Sequence, residues 1–279
     1  VGLGMSLMSM ATHLFMLFVC IELASLSSYI LVAFHKESKV GGEAGMKYFI
    51  VGSVASAVGI YGMSLLYLWS GDLSLDALAI RWAESDSVDP LAGIAVGLML
   101  VAFGFKVGAA PFHLAAPDAY AGASSPVAGL LATASKAMGF VALMRILVSV
   151  TMPLEGQAFW YTAIAFIAVV TMTWGNLAAL TSDNPKRMLA YSSVSHAGYM
   201  LAGLAAIGSG LASQAATELV LTAIVFHLAV LVIFKFGAFL VLSLLETEDK
   251  GHRLEDLHGL ARRDPLVAGS MFLFMLSLA

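Results

Sequence analysis

Six ionisable side chains interrupt apolar stretches of this sequence: Glu22, Lys106, Lys136, His196, His227 and Lys235. A charge near the centre of a bilayer costs about 2.5–3.5 kcal/mol even on lenient insertion scales, so each needs a physical reason to be there. Desolvation drives a lysine toward its neutral form, and a nearby carboxylate restores the charged form. A lysine whose carboxylate partner approaches and withdraws therefore releases and rebinds a proton. Histidine titrates near neutrality without such help and suits a relay between lysines. His227 and Lys235 are eight residues apart, about 12 Å along a helix and on roughly one face, a gap that a chain of waters and polar side chains would have to bridge. One lysine alone could snorkel to a headgroup or lock two helices through an ion pair. Three lysines and a glutamate at similar depth point instead to an ion path. His196, in the stretch SSVSHAGY, fits either a relay or simple helix–helix hydrogen bonding.

The elements that must hold these groups are membrane helices. The 279 residues are 60% hydrophobic and 11% charged, against about 25% charged in a soluble domain. The mean hydropathy is +0.90. Apolar runs of about 20 residues suit spanning helices rather than the shorter strands of a barrel. Helices are expected over 13–34, 44–69, 91–110, 125–150, 158–181, 186–207 and 214–245, after the tail of another at 1–10. The loops between them are polar at 35–43, acidic at 72–89, short around Pro153, and charged at 246–264, before a last apolar stretch. Gly108 and Pro111 break the helix that carries Lys106, leaving a short second piece at 111–121, and Pro117 lies within that piece. Irregular backbone at membrane depth is tolerated only where protein or a water-filled cavity covers it.

Nine lysines and arginines fall on one side of this arrangement: Lys36, Lys39, Lys47, Lys186, Arg187, Lys250, Arg253, Arg262 and Arg263. The other side has Arg81, with Arg145 near a helix end as an interfacial anchor. The basic side is thus expected to face the cytoplasm or its organellar equivalent. No cleavable signal peptide is visible, and both ends read as cut inside helices, as in a fragment of a longer chain. The single cysteine, Cys20, excludes an internal disulfide and cysteine-ligated clusters. No basic stripe suggests nucleic acid.

Two short motifs carry less weight. His113 and Asp118 have the H-x4-D spacing of glycerolipid acyltransferases, but Pro117 and the broken helix fit a membrane hinge better. Gly208-Ser209-Gly210 lacks the remaining spacing and strand–helix context of a dinucleotide fingerprint.

The stretches IELASLSSYILVAF (21–34), GGEAGMKYFIVGSVASA (41–57), FKVGAAPFHLAAPDAYAGASSPVAGLLATASKA (105–137) and NPKRMLAYSSVSHAGY (184–199) resemble the antiporter-like membrane subunits of proton-pumping NADH:quinone oxidoreductase, complex I. The likeness is strongest to the N-type subunit and extends to Mrp sodium/proton antiporter subunits. It implies an all-α polytopic fold with two inverted five-helix repeats, here partial at 1–150 and 158–279. It also implies proton translocation coupled to quinone reduction in a respiratory membrane, the other membrane-arm subunits and the lipid bilayer as partners, and no cofactor in this chain. By the same resemblance Glu22 is the glutamate that pairs with the broken-helix lysine, Lys106. Lys136 is the next lysine on the central axis, and the family's twelfth-helix ionisable residue falls just beyond Ala279. Lys235-Phe-Gly-Ala-Phe stands where N-type subunits often carry Asn-Leu-Gly-Ala-Phe. The preceding FHLAVLVIFK resembles the L-type, M-type and Mrp pattern, which strengthens Lys235 as a path residue. Sodium/proton antiport of the Mrp kind is the alternative function.

Overall fold

The computed structural model describes residues 1–85, 89–148, 158–208, 213–248 and 250–278. The loop around Pro153, the join between the two expected repeats, and Ser209 and Gly210 of the Gly-Ser-Gly motif lie outside these.

The described residues form helices, joined by turns and bends. In order these are α1 (Gly2–Met10), α2 (Leu14–Val32), α3 (Lys39–Ser70), α4 (Leu75–Ala83), α5 (Pro90–Val107), α6 (Ala116–Gly122), α7 (Ser125–Leu130), α8 (Lys136–Ile146), α9 (Ala158–Leu180), α10 (Pro185–Ile207), α11 (Gln214–Glu246), α12 (Leu260–Arg263) and α13 (Pro265–Leu278). A widened π turn, Leu131–Ser135, joins α7 to α8 within one span, and a 3₁₀ turn covers Leu254–Leu257. Helix starts follow local chemistry: Ser38, Asp89, Asn184 and Ser213 accept backbone N–H bonds as N-caps of α3, α5, α10 and α11.

Three features depart from the sequence expectation. The Ser38 cap starts α3 at Lys39, several residues before 44. The acidic loop contains α4, whose Leu75, Leu78 and Trp82 are buried against the helices above it. Arg145 is more than an interfacial anchor. Its guanidinium donates to the Met8 and Ser9 carbonyls at 3.2 and 2.8 Å, satisfying the C-terminal end of α1.

Among the described residues six helices are long and apolar enough to cross a membrane; α10, with 23 residues, is not among them. It needs less hydropathy because much of its surface faces protein: Leu189, Ser193, His196, Ala197 and Leu201 are all buried. Gly175 of α9 and Gly198 of α10 allow this close fit. A Cβ on Gly175 would meet the Ser195 amide at 2.7 Å, and one on Gly198 would meet the Met172 amide at 2.8 Å. Outward faces carry large apolar side chains, among them Ile30, Phe34, Leu180, Phe226 and Leu276, which suits lipid rather than water.

The buried apolar side chains divide into two clusters. One gathers Leu17, Met63, Phe103, Phe140, Met200 and Leu228; the other gathers Val32, Tyr48, Ala132, Leu189, Phe239 and Leu260. Helices α10 and α11 and the α7–α8 span each pass from one cluster to the other beside a polar residue. The changeover falls at Lys235 on α11, between Leu189 and Ala197 on α10, and at Ser135–Lys136 between α7 and α8. A polar layer therefore lies between two apolar cores.

Outside the membrane spans, the segment from Lys250 to Asp264 is tied down by Asp256. Its Oδ2 accepts the backbone N–H groups of Gly251, His252 and Arg253 at 3.1, 3.0 and 2.9 Å. The Leu254 amide in turn donates to the Asp183 carbonyl at 2.9 Å.

Two outcomes follow from this packing. Gly175→Val is expected to cost about 1–3 kcal/mol, because the obstacle is backbone that cannot step aside; thermal unfolding in detergent measures it. The three amides, Arg253's first, hold the Asp256 carboxyl below its ordinary value of 3.8. A depressed carboxylate stabilises fully above its unfolded value and loses that contribution as pH falls through its folded one. Hydrogen-exchange protection at 251–253 should hold from neutral pH to about 4 and then drop, and Asp256→Asn should weaken it at neutral pH.

Candidate functional site

The break after α5 is built from covered backbone. Gly108 closes α5 with φ +76°, a conformation glycine adopts without steric cost, and its amide donates back into the last turn. The Ala109 amide reaches the Gly104 carbonyl at 2.8 Å, and the Ala110 amide donates to Thr171 Oγ1 of α9 at 2.9 Å. Pro111 follows in a cis peptide bond. Protein thus supplies the partners that lipid would not.

This break lets α5 and α8 exchange lysines. The Lys106 stem packs where a Cβ on Gly139 of α8 would lie, 3.0 Å from Lys106 Cγ. The Lys136 ammonium sits 3.6 Å from the Cβ position of Gly108. Both lysines are buried, and Lys235 is completely so. Lys106 Nζ donates to Ser25 Oγ of α2 at 2.8 Å, and Lys235 Nζ to Ser192 Oγ of α10 at 2.9 Å. Lys136 Nζ donates to the Ser193 carbonyl.

Glu22 lies on α2 one turn before Ser25. Its Oε1 accepts from Ser56 Oγ of α3 at 2.7 Å. Glu22 and Lys106 line one cavity together with Ser25, Ser56 and Tyr29, but are not among the close ion pairs of the described residues. Hydroxyl groups take the places a direct pair would fill. A second cavity, lined by Lys106, His113, Ser135 and Lys136, joins the two lysines across the break. On α10, Ser192 and Ser193 present Lys235 and Lys136 with adjacent partners. One turn further, His196 Nδ1 meets His227 Nε2 of α11 at 3.1 Å.

The structure thus brings Glu22, Lys106, Lys136, Lys235, His196 and His227 into one polar layer, Glu22 and His227 half-buried and the other four buried, with Gly108 and Pro111 at its broken helix. His227 and Lys235 of α11 meet His196 and Ser192 of α10, which are one turn apart. Sequence reasoning passed over Ser25, Ser56, Ser135, Ser192 and Ser193. Their only signal is a small hydroxyl within an apolar helix, which is common and usually bonds back to its own turn.

His113 and Asp118 do not work together. His113 is buried with its ring against Trp174, 6.1 Å between centroids, and lines the second cavity. Asp118 accepts from Arg187 at 2.5 Å and from Lys47 at 3.2 Å. The acyltransferase pairing of a histidine base oriented by its aspartate is therefore not formed. Nearby, Lys186 donates to Glu246 Oε1 and to the Ala123 carbonyl, each at 2.8 Å, and Glu246 Oε2 accepts from the Ser125 amide at 3.1 Å. The residues expected on the basic side, Lys47, Lys186 and Arg187, meet in these two networks, which hold α6 and the start of α7 against α3, α10 and α11.

The fold and its buried charges define an all-helical polytopic membrane protein of the antiporter-like class, with a broken helix beside a line of lysines. The chain belongs to the family described as NADH:quinone oxidoreductase/Mrp antiporter, transmembrane, whose sequence model matches residues 11–279. It is 42% identical over 277 residues to NADH-quinone oxidoreductase subunit N of Heliobacterium modesticaldum, covering 99% of this chain and 56% of that one. Subunit N 2 of Chloroherpeton thalassium is 39% identical over 284 residues, with 99% and 53% covered. The chain spans about half the length of the curated relatives it matches. Among solved structures it is similar to a chain of respiratory complex I from Thermus thermophilus (TM-score 0.79, 36% identity, 99% of this chain and 56% of that one). A chain of the Mrp complex from a Dietzia species is also similar (TM-score 0.86, 28% identity, 99% and 49% covered).

Lys186→Met should leave Glu246 without its cation and cost about 2–4 kcal/mol, since removing one partner of a buried pair is worse than removing both. The double variant Lys186→Met with Glu246→Gln should recover part of that loss in the same thermal assay.

Proposed function

We propose that this chain is a proton-translocating part of the membrane arm of a proton-pumping NADH:quinone oxidoreductase, in a prokaryotic plasma membrane. It would be seated against other membrane-arm subunits and lipid. The observation that carries the reading is the buried layer itself: three lysines, a glutamate and a histidine pair joined by hydroxyls and two cavities. Kinship with the N subunits of bacterial NADH-quinone oxidoreductases supports the coupling to quinone reduction. In this reading the chain holds no cofactor, and electrons move elsewhere in the complex.

The proposed path runs from Glu22 to Lys106, across the break to Lys136, and on by way of α10 to Lys235, His196 and His227. Each transfer needs a donor and an acceptor in hydrogen-bond reach, directly or through one water. A carboxylate approaching a lysine favours the charged ammonium, and its withdrawal favours release. Glu22 and Lys106, bonded to Ser56 and Ser25 rather than to each other, suit this alternation. Gly108 and Pro111 leave the Lys106 end of α5 free of the helix beyond it.

A second reading, sodium/proton antiport of the Mrp kind, is favoured by Lys235 in its FHLAVLVIFK setting and by the likeness to the Dietzia Mrp chain. Movement of protons driven by sodium without any redox donor would distinguish it.

Lys136→Ala in membranes carrying the assembled complex is the decisive variant. Normal assembly with quinone reduction and proton pumping both lowered on the order of tenfold is expected, equivalent to about 1.4 kcal/mol of barrier. Unchanged rates would remove Lys136 from the path.

A further inference from the structure

The cavity beside Glu22 contains a polar atom that the path above does not use. Tyr29 of α2 is 5% exposed, and its hydroxyl makes no hydrogen bond of normal geometry with a described residue, although Ser25 lies close. An unsatisfied buried hydroxyl costs about 1–3 kcal/mol, whereas a phenylalanine of the same shape would avoid that cost. Room is nevertheless kept for this oxygen. A Cβ on Gly52 of α3 would fall 2.1 Å from Tyr29 Oη, so any other residue at that position would displace the phenol. The ring is held edge-on by Tyr48 and Phe49, at centroid distances of 4.8 and 5.8 Å.

The neighbouring groups show what the hydroxyl is suited to. Ser25 gives its proton to the Ile21 carbonyl at 2.7 Å, and Ser56 gives its proton to Glu22. Neither serine has a proton left to offer, while Lys106 has three and spends one on Ser25. Tyr29 is the group lining this cavity whose hydroxyl is free both to donate and to accept. The cavity measures about 30 Å³. A water needs about 10–15 Å³ on that measure, and two or more polar partners.

We propose that Tyr29 Oη holds a water between Lys106 and Glu22, in the cavity that these three residues line, while Gly52 leaves room for the phenol oxygen. This rests on the proton path proposed above and adds a positioning residue to it. A protonated Glu22 gives its proton to the water as the water gives one to the neutral Lys106 amine. The glutamate is left as a carboxylate, the lysine becomes charged and the water is regenerated. The phenol keeps its own proton throughout and fixes the orientation of the water.

Three variants of the complete complex in sealed membrane vesicles test this: Tyr29→Phe, Gly52→Ala and Lys106→Met. Tyr29→Phe should assemble with unchanged or raised thermal stability, yet pump about three- to tenfold more slowly, the worth of one hydrogen bond. Gly52→Ala should slow pumping in the same direction. Loss of pumping in Lys106→Met with normal pumping in Tyr29→Phe would overturn the role of Tyr29 and leave the path standing. Normal pumping in both would overturn both. A map of the wild-type complex fine enough to show water decides the matter even if a variant fails to assemble: density within hydrogen-bond distance of Tyr29 Oη is expected, and none there refutes the proposal.

Discussion

The cost of burying an ammonium group governs this molecule. A lysine at membrane depth must find acceptors for its protons, and lipid has none. Lys106, Lys136 and Lys235 each find one on a neighbouring helix: a serine of α2, a carbonyl of α10 and a serine of α10. Those three bonds tie the first helices, the broken helix and the long α11 into one polar layer. The same requirement accounts for the modest hydropathy of α10, whose serines and His196 face protein. It also accounts for the widened turn before Lys136, since such turns re-aim the side chains that follow them.

Apolar packing is arranged around that layer. The two clusters lie on either side of it, and α10, α11 and the α7–α8 span carry apolar faces in both. Each half is packed by close contact at small residues: Gly175 and Gly198 between α9 and α10, Gly45 against Ala33, Gly62 against the Ala95 carbonyl. Among membrane helices such contacts supply the dispersion and hydrogen bonding that association requires, because the lipid tails are as apolar as the side chains. The rim on the basic side is held differently. There Asp118 and Glu246 bind Lys47, Arg187 and Lys186, fixing the short helix α6 and the start of α7. The broken segment is therefore anchored at its outer end while its inner end carries Lys106.

Hydroxyl groups set the character of the layer. Ser25, Ser56 and Ser192 hold charged groups at hydrogen-bond distance without neutralising them. A direct ion pair between Glu22 and Lys106 would be deeper and harder to break. Polar groups satisfied by hydroxyls can exchange partners without separating an ion pair, which would suit the proposed proton path.

Much of the architecture is legible in the order of the residues. Runs of about 20 apolar residues, proline and glycine breaks and the polar loops between them place most of the helices. The depth of Glu22, Lys106, Lys136 and Lys235 singles them out because a charge is conspicuous in an apolar run. The start of α3 and the small helix α4 were missed. A serine cap reads like any loop serine, and Leu75, Leu78 and Trp82 gain meaning only from the helices they cover. The role of Arg145 was missed for the same reason: its acceptors, Met8 and Ser9, are about 136 residues away and are backbone atoms. Tertiary structure alone decided which hydroxyl meets which charge, that Asp118 turns to Arg187 and Lys47 rather than to His113, and that Gly52 opens space for a phenol. Helical periodicity assigns a residue to a face of its own helix. Its partner depends on how two helices are rotated and offset against each other, and that is set by packing summed over the whole bundle.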